Sequence, residues 1–327
     1  MKAADLLDPT AYEKRKNKSY DAFYGKSWLL YHYLTFDDKR KGQLKQYAKL
    51  LTEGKSSRDA GLAAFGDFNA LEHDIEAYLQ KSRTSSLLLP RTMLTVGTIE
   101  IRRLRPGEVA IMPVLIRSKA GVDKTTAAQV LKDARTIAPQ FSGDAAVLAA
   151  LAEAEYDAGN DKEAIAAADA ALAIDPKEQN AYIQKGYALF RQASDADDRA
   201  AAFKKARAPF IALNRLENDH PIPLIYFYQS FIQQGARPSP NAVEGLKRAV
   251  EVAPFDLGLH MMLATQYLRD GKPAQARVQL APVAYNPHGR SFAAYAQAML
   301  TRLDQNPSWD GSGMAPPPDG PDEDQGN

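Results

Sequence analysis

The sequence predicts a mainly α protein: a right-handed solenoid of stacked helix pairs, preceded by a small helical segment and a β-hairpin. Three observations carry that prediction. Prolines recur at Pro139, Pro176, Pro221, Pro254 and Pro287, spaced by 33 to 45 residues. The stretches between them are rich in alanine, with small residues at the three- and four-residue spacing of a helix face. Glycines such as Gly159 and Gly271 stand where one helix must turn into the next. Shifts of composition divide the chain into residues 1–86, 87–120, 121–305 and 306–327.

The first segment is basic and aromatic. Tyr24, Trp28, Tyr31 and Leu34 follow one another at helical spacing, with Phe23, Leu30 and Tyr33 on the other side. The helix over Tyr20–Phe36 is therefore apolar nearly all round and is expected to be buried. Further helices are expected near Tyr12–Lys18 and Lys39–Leu51, with their lysines and arginines on solvated faces.

From Val96 to Leu104 and from Glu108 to Ile116, β-branched and aliphatic residues dominate. Arg105-Pro106-Gly107 between them places proline and glycine as a type II turn requires, which predicts a two-stranded hairpin within residues 87–120. A lone hairpin is marginal in water, so Ile99 and Ile101 are expected to face neighbouring helices, with Glu100 and Arg102 outward.

The clearest repeat unit spans Ala145–Glu178. Leu148, Leu151 and Ala152 lie on its first helix, Gly159-Asn160 makes the turn, Ala164, Ala168 and Ala171 lie on the second helix, and Asp175-Pro176 closes the unit. Small side chains let paired helices approach closely while a larger residue opposite fills the gap. The same frame falls on Ala127, Leu131 and Ala134 before Pro139, and on Tyr182 and Gly186 before Pro221. It continues through Tyr226, Ser230 and Ala249 before Pro254, then through Leu263, Ala264, Tyr267, Gly271, Ala276 and Leu280. An insertion at Ser194–Asp198 and a long helix over Arg199–Leu216 make one unit irregular, and Gly289–Gln305 reads as a capping helix.

These units resemble the tetratricopeptide repeat. The resemblance implies a scaffold rather than an enzyme, holding a protein or peptide in the groove lined by the first helix of each unit. On that frame the groove residues are Tyr187, Phe190, Phe227, Phe231 and Met261, with Thr265 beside them, an apolar lining suited to an apolar or extended peptide. Members that grip a terminal carboxylate use Lys, Asn and Arg there, and only Asn180, Arg191 and Arg269 are comparable here.

A second resemblance lies upstream. The run Tyr24-Gly25-Lys26-Ser27-Trp28-Leu29-Leu30-Tyr31-His32-Tyr33-Leu34, followed by Ala64-Phe65-Gly66 and Leu71-Glu72, resembles the end of a peptidase-MA-like (gluzincin) domain, which some bacterial proteins join to tetratricopeptide repeats. That family holds zinc on an H-E-x-x-H helix, two histidines one turn apart with a glutamate as general base. No H-E-x-x-H occurs here, and His32, His73, His220, His260 and His288 include no pair at three- or four-residue spacing. The resemblance therefore implies either the C-terminal piece of such a protein, its motif lying upstream, or a relative that lost its site; no metal and no cofactor is expected. His32, among aromatics, reads as a hydrogen-bonded core residue, and His73 with Glu76 reads as solvated. The Gly61–Gly66 stretch lacks the lysine and hydroxyl of a phosphate loop.

Composition narrows the classes further. Lys and Arg number 41 against 40 Asp and Glu, which leaves no electrostatic footprint for nucleic acid. The absence of cysteine removes disulfides, thiolate metal sites and cysteine nucleophiles. No 18 apolar residues follow one another, so membrane insertion is not expected, and Met1–Ser19 has no apolar run of signal-peptide length. The expectation is a soluble chain, cytoplasmic by default and periplasmic if a parent protein carries an export signal. The proline-rich, acidic stretch 306–327 is expected to be disordered.

Overall fold

A computed structural model describes residues 1–8, 22–286 and 288–314. The helix expected near Tyr12–Lys18, Pro287 and the later part of the acidic tail lie outside the described residues. The chain divides into two compact units, one made of Met1–Thr95 together with Pro254–Asn327, the other of Val96–Ala253.

The first unit opens with α1 (Ala3–Leu6), α2 (Phe23–Phe36), α3 (Gln43–Thr52), α4 (Ser57–Phe65) and α5 (Phe68–Leu79). Side-chain caps set two of the starts: Ser56 accepts the Asp59 N–H ahead of α4, and Asp67 accepts those of Asn69 and Ala70 ahead of α5. Leu30, Tyr33, Leu34, Phe68, Leu71 and Ile75 fill the core between these helices. The expectation that α2 is buried all round is corrected. Leu29, Leu30, Tyr33 and Leu34 are buried, but Tyr24, Trp28 and Tyr31 are 59 to 70% exposed, because the neighbouring helices cover one side only.

The second unit holds four helix pairs: α6 (Pro106–Lys119) with α7 (Lys124–Ile137), α8 (Ala145–Asp157) with α9 (Asp161–Ile174), α10 (Gln179–Ser194) with α11 (Arg199–Leu216), and α12 (Pro221–Gln233) with α13 (Pro240–Val252). The hairpin is overturned, since no β-strand forms among the described residues and its second arm is α6. Pro106 sits at the first helical position, where a missing N–H costs nothing, and the Glu108 carboxylate accepts the Arg105 N–H at 2.7 Å. The stretch therefore opens a helix instead of turning a strand. Ile111 and Val114, three residues apart, then bury against Val130, Leu131, Val147 and Ala150. Pro113 lies inside α6 and is exposed.

Three of the four first helices in this unit end on a left-handed glycine: Gly121, Gly159 and Gly235, with φ of 90°, 87° and 74°. Only glycine enters that conformation without strain, and it lets the next N–H groups reach back to otherwise orphaned carbonyls, as Asn160 N does to Glu155 O at 2.8 Å. The exception is α10, where the Ser194–Asp198 insertion intervenes. Ala149, Ala152, Ala164, Ala168, Ala171 and Ala181 are all buried, which brings the backbones of α8, α9 and α10 close together. Gly186 is required more strictly. A Cβ there would stand 2.4 Å from the Phe210 ring, so the large side chain of α11 fills the space the small residue of α10 leaves.

The first unit resumes with α14 (Leu257–Arg269), α15 (Pro273–Ala284) and α16 (Arg290–Gln305). Gly271, at φ 65°, joins α14 to α15, and Ala264, Ala276, Leu280, Phe292, Met299 and Leu303 form their shared core. Part of the tail belongs to this core too. Trp309 is 9% exposed, its indole N–H donates to Ser312 O at 2.7 Å, and the Arg302 guanidinium covers the ring at 5.6 Å, so Asn306–Met314 is held by packing. None of the described helices is long and apolar enough to cross a membrane.

Candidate functional site

In the second unit the first helices touch one another directly, α8 against α10 and α10 against α12. A row of aromatic rings marks that contact. Tyr156 of α8 lies 5.5 Å, centroid to centroid, from Tyr187 of α10, which lies 4.8 Å from Tyr226 of α12. Phe190 and Phe210 close on Tyr226 at 4.9 and 4.8 Å. The Arg191 guanidinium stands 4.1 Å over the Tyr156 ring while donating to Tyr156 O at 2.8 Å and Asp161 Oδ1 at 2.9 Å. Burial raises the pKa of all three tyrosines, that of Tyr226 to about 12, so the row offers neutral hydroxyls and ring faces at physiological pH.

Beside the rings runs a chain of amides whose polarity is fixed at one end. The Glu153 carboxylate, buried, accepts from Lys119 Nζ at 2.6 Å and from Asn180 Nδ2 at 2.9 Å. Because Asn180 spends its NH2 on that carboxylate, its oxygen faces Gln184, and Gln184 must donate its own Nε2 at 3.1 Å. The Gln184 Oε1 is then left buried with no hydrogen-bond partner among the described residues. A buried acceptor without a donor is costly, of order 1–3 kcal/mol, and marks where a donor is missing. Asp157, next along α8, has its carboxyl raised first by burial and then by the Glu153 charge.

The sequence-derived groove residues are distributed between several places. Tyr187 is in the aromatic row, and Asn180 and Arg191 are in or beside it. Phe190 is buried in the core formed with Phe203 and Phe210. Phe227 and Phe231 are half-buried and meet edge to face at 5.6 Å. Phe227 lines a cavity of about 270 Å³ with Phe210, Leu224, Asn241 and Gly245, while Arg207 covers the Phe231 ring at 4.2 Å and donates to Ser230 Oγ at 2.6 Å. Met261 and Arg269 belong to the other unit, Met261 in its core. Sequence reasoning did not name Tyr156, Glu153 or Gln184. The signal available for them was helical spacing: Tyr156 and Glu153 stand four and seven residues before Asn160, and Gln184 stands four after Asn180 and three before Tyr187.

Among the described residues no three His, Asp or Glu side chains converge as metal ligands. His32 has both ring nitrogens engaged, Nδ1 with the Tyr78 hydroxyl and Nε2 with Ser85 O, each at 2.9 Å.

Paired antiparallel helices, glycine-terminated first helices that contact their successors, and alanines between layers are together sufficient to class the repeats. The architecture is tetratricopeptide-like. No family model matches the sequence, and no curated protein matches it. Among solved structures the chain is similar to the crystal structure of a thermophilic tetratricopeptide-repeat protein of Thermus thermophilus, at 16% identity and a TM-score of 0.48 over 60% of this chain and 99% of that one. So loose a likeness adds no weight, and the tetratricopeptide-like reading stands on the helix pairs and their small-residue contacts.

Proposed function

We propose that the tetratricopeptide-like unit is a protein-interaction scaffold and that its first helices, α8, α10 and α12, receive an extended peptide. The observation that carries this reading is the orphan Gln184 Oε1 beside a ladder of neutral tyrosines. A peptide N–H supplies the donor that the network lacks when the Gln184 amide turns outward from its buried position, and ring faces accept apolar side chains at little conformational cost. The lining is aromatic and amide-rich, which favours a backbone-reading mode over capture of a terminal carboxylate.

The experiment is to select peptides from a displayed library on the full chain and to compare wild type with Gln184→Leu by fluorescence polarisation. Leucine removes the orphan oxygen at similar volume. The expected result is affinity weaker by about tenfold, one lost hydrogen bond to the peptide, with a Tm little changed, because removal of the orphan oxygen offsets loss of the Nε2 donor to Asn180. Equal peptide affinity in the two proteins would refute the proposal.

A further inference from the structure

Within Val96–Leu104, Thr98–Arg102 alternates polar and apolar side chains as a β-strand does, yet the segment has no partner strand among the described residues. The chain runs from Leu94 to Arg105 without a turn or bend, with extended backbone at both ends (φ −103°, ψ 93° at Leu94; φ −68°, ψ 156° at Arg105). Among the described residues none of its N–H or C=O groups takes part in a backbone–backbone hydrogen bond. Val96, Ile99 and Ile101 are 76, 73 and 92% exposed, although β-branched residues of this kind are the ones that gain most from a pleated neighbour. An exposed segment whose backbone, among the described residues, is bonded only at Arg103 O, by Arg102 Nη1 at 3.3 Å, is a template for pairing with another strand.

We propose that this segment pairs antiparallel with the same segment of a second copy of the chain, Ile101 facing Ile101 across the two-fold axis. The self-complementarity of the strand selects that partner and that register. With Ile101 on the axis, Glu100 of each copy lies opposite Arg102 of the other, twice over, and the Ile99 and Ile101 side chains of both strands share one face. Arg102 holds Glu108 through both terminal nitrogens at 2.7 Å and is 63% exposed, so Glu100 of the second copy would share its guanidinium with Glu108. Shifting each strand by one residue puts Glu100 against Glu100 and loses both charge pairs. A two-stranded ribbon is marginal by itself, so the dimer is weak and concentration-dependent.

The chain contains no cysteine, so a single introduced cysteine reports the register cleanly. Sedimentation velocity of the full chain over a range of concentrations should show reversible dimerisation, and Glu100→Arg, which opposes Arg102 with a like charge at two positions, should weaken it about tenfold. Under mild oxidation Ile101→Cys should form a disulfide-linked dimer. Ile99→Cys should not, because in this register the two Ile99 positions are about four residues apart, roughly 13 Å, beyond disulfide reach. All three positions are exposed, and circular dichroism verifies that each variant is folded. A wild-type chain that stays monomeric at every concentration overturns the proposal and leaves the edge to a foreign sheet. Equal cross-linking of Ile99→Cys and Ile101→Cys overturns it as well.

Discussion

Two adjacent stretches, Val96–Leu104 and Glu108–Ile116, have nearly the same share of β-branched and aliphatic residues, yet the first forms no regular secondary structure and the second forms most of α6. Composition does not separate them. Their ends and their neighbours do. The second begins at a proline suited to a helix start and is followed by left-handed Gly121, so both termini of a helix are provided for. Its Ile111 and Val114 recur at helical spacing and meet α7 and α8, whereas Ile99 and Ile101 alternate and stay exposed. Secondary structure here is decided by capping and by which period of apolar residues finds a surface to bury against.

Substitutions sharpen that contrast. The largest effect is expected at Ile111, which is fully buried: Ile111→Ala should cost about 3 kcal/mol in chemical denaturation of the dilute chain, against about 0.5 kcal/mol or less for Ile101→Ala, 92% exposed. Comparable losses at the two sites would break the comparison. Next comes Gly107→Ala. A Cβ there would lie 2.8 Å from Asp144 Oδ2 and 2.9 Å from Val147 Cγ2, pressing on the carboxylate that Arg105 holds at 2.8 and 3.0 Å. The expected loss is about 1–2 kcal/mol.

A pH series isolates the cap. The Arg102 guanidinium, and then the Arg105 N–H, hold the Glu108 carboxyl at about 2, below its ordinary 4.5. A carboxyl whose pKa is depressed by folding stabilises the protein above its unfolded value, and that contribution is lost as pH falls through the folded value. Glu108→Gln should therefore lower Tm at pH 7, with the deficit shrinking from pH 4.5 towards pH 2; a deficit independent of pH would remove the charge from the explanation. The smallest effect is expected at Val109, on the exposed face of α6: Val109→Ala should stay within about 0.5 kcal/mol.

The legibility of the sequence follows the same division. The alanine and glycine frame of α8 to α13 could be read because Ala164, Ala171, Gly186 and Ala249 serve contacts inside and between adjacent pairs, which recur with the repeat. The first helix of the first pair was missed, though its second was read on Ala127, Leu131 and Ala134, because valine and isoleucine in α6 outvoted Gly121, which stands after its helix as Gly159 and Gly235 stand after theirs. The open side of α2 was not legible, since exposure of Tyr24, Trp28 and Tyr31 depends on helices distant in sequence. The candidate site was legible in part. Tyr187 follows from the frame, whereas the orphaned Gln184 oxygen emerges only once Glu153, one helix away, fixes the direction of the Asn180 amide.

Hydrogen exchange of the dilute full chain, resolved to peptides across residues 95–137, tests most directly whether the helix pairs begin at Pro106. The account predicts slow exchange at Ile111–Ile116, comparable with α7, and fast exchange throughout Thr95–Leu104. Matching protection of the two stretches, unchanged on dilution, would restore the hairpin and contradict it.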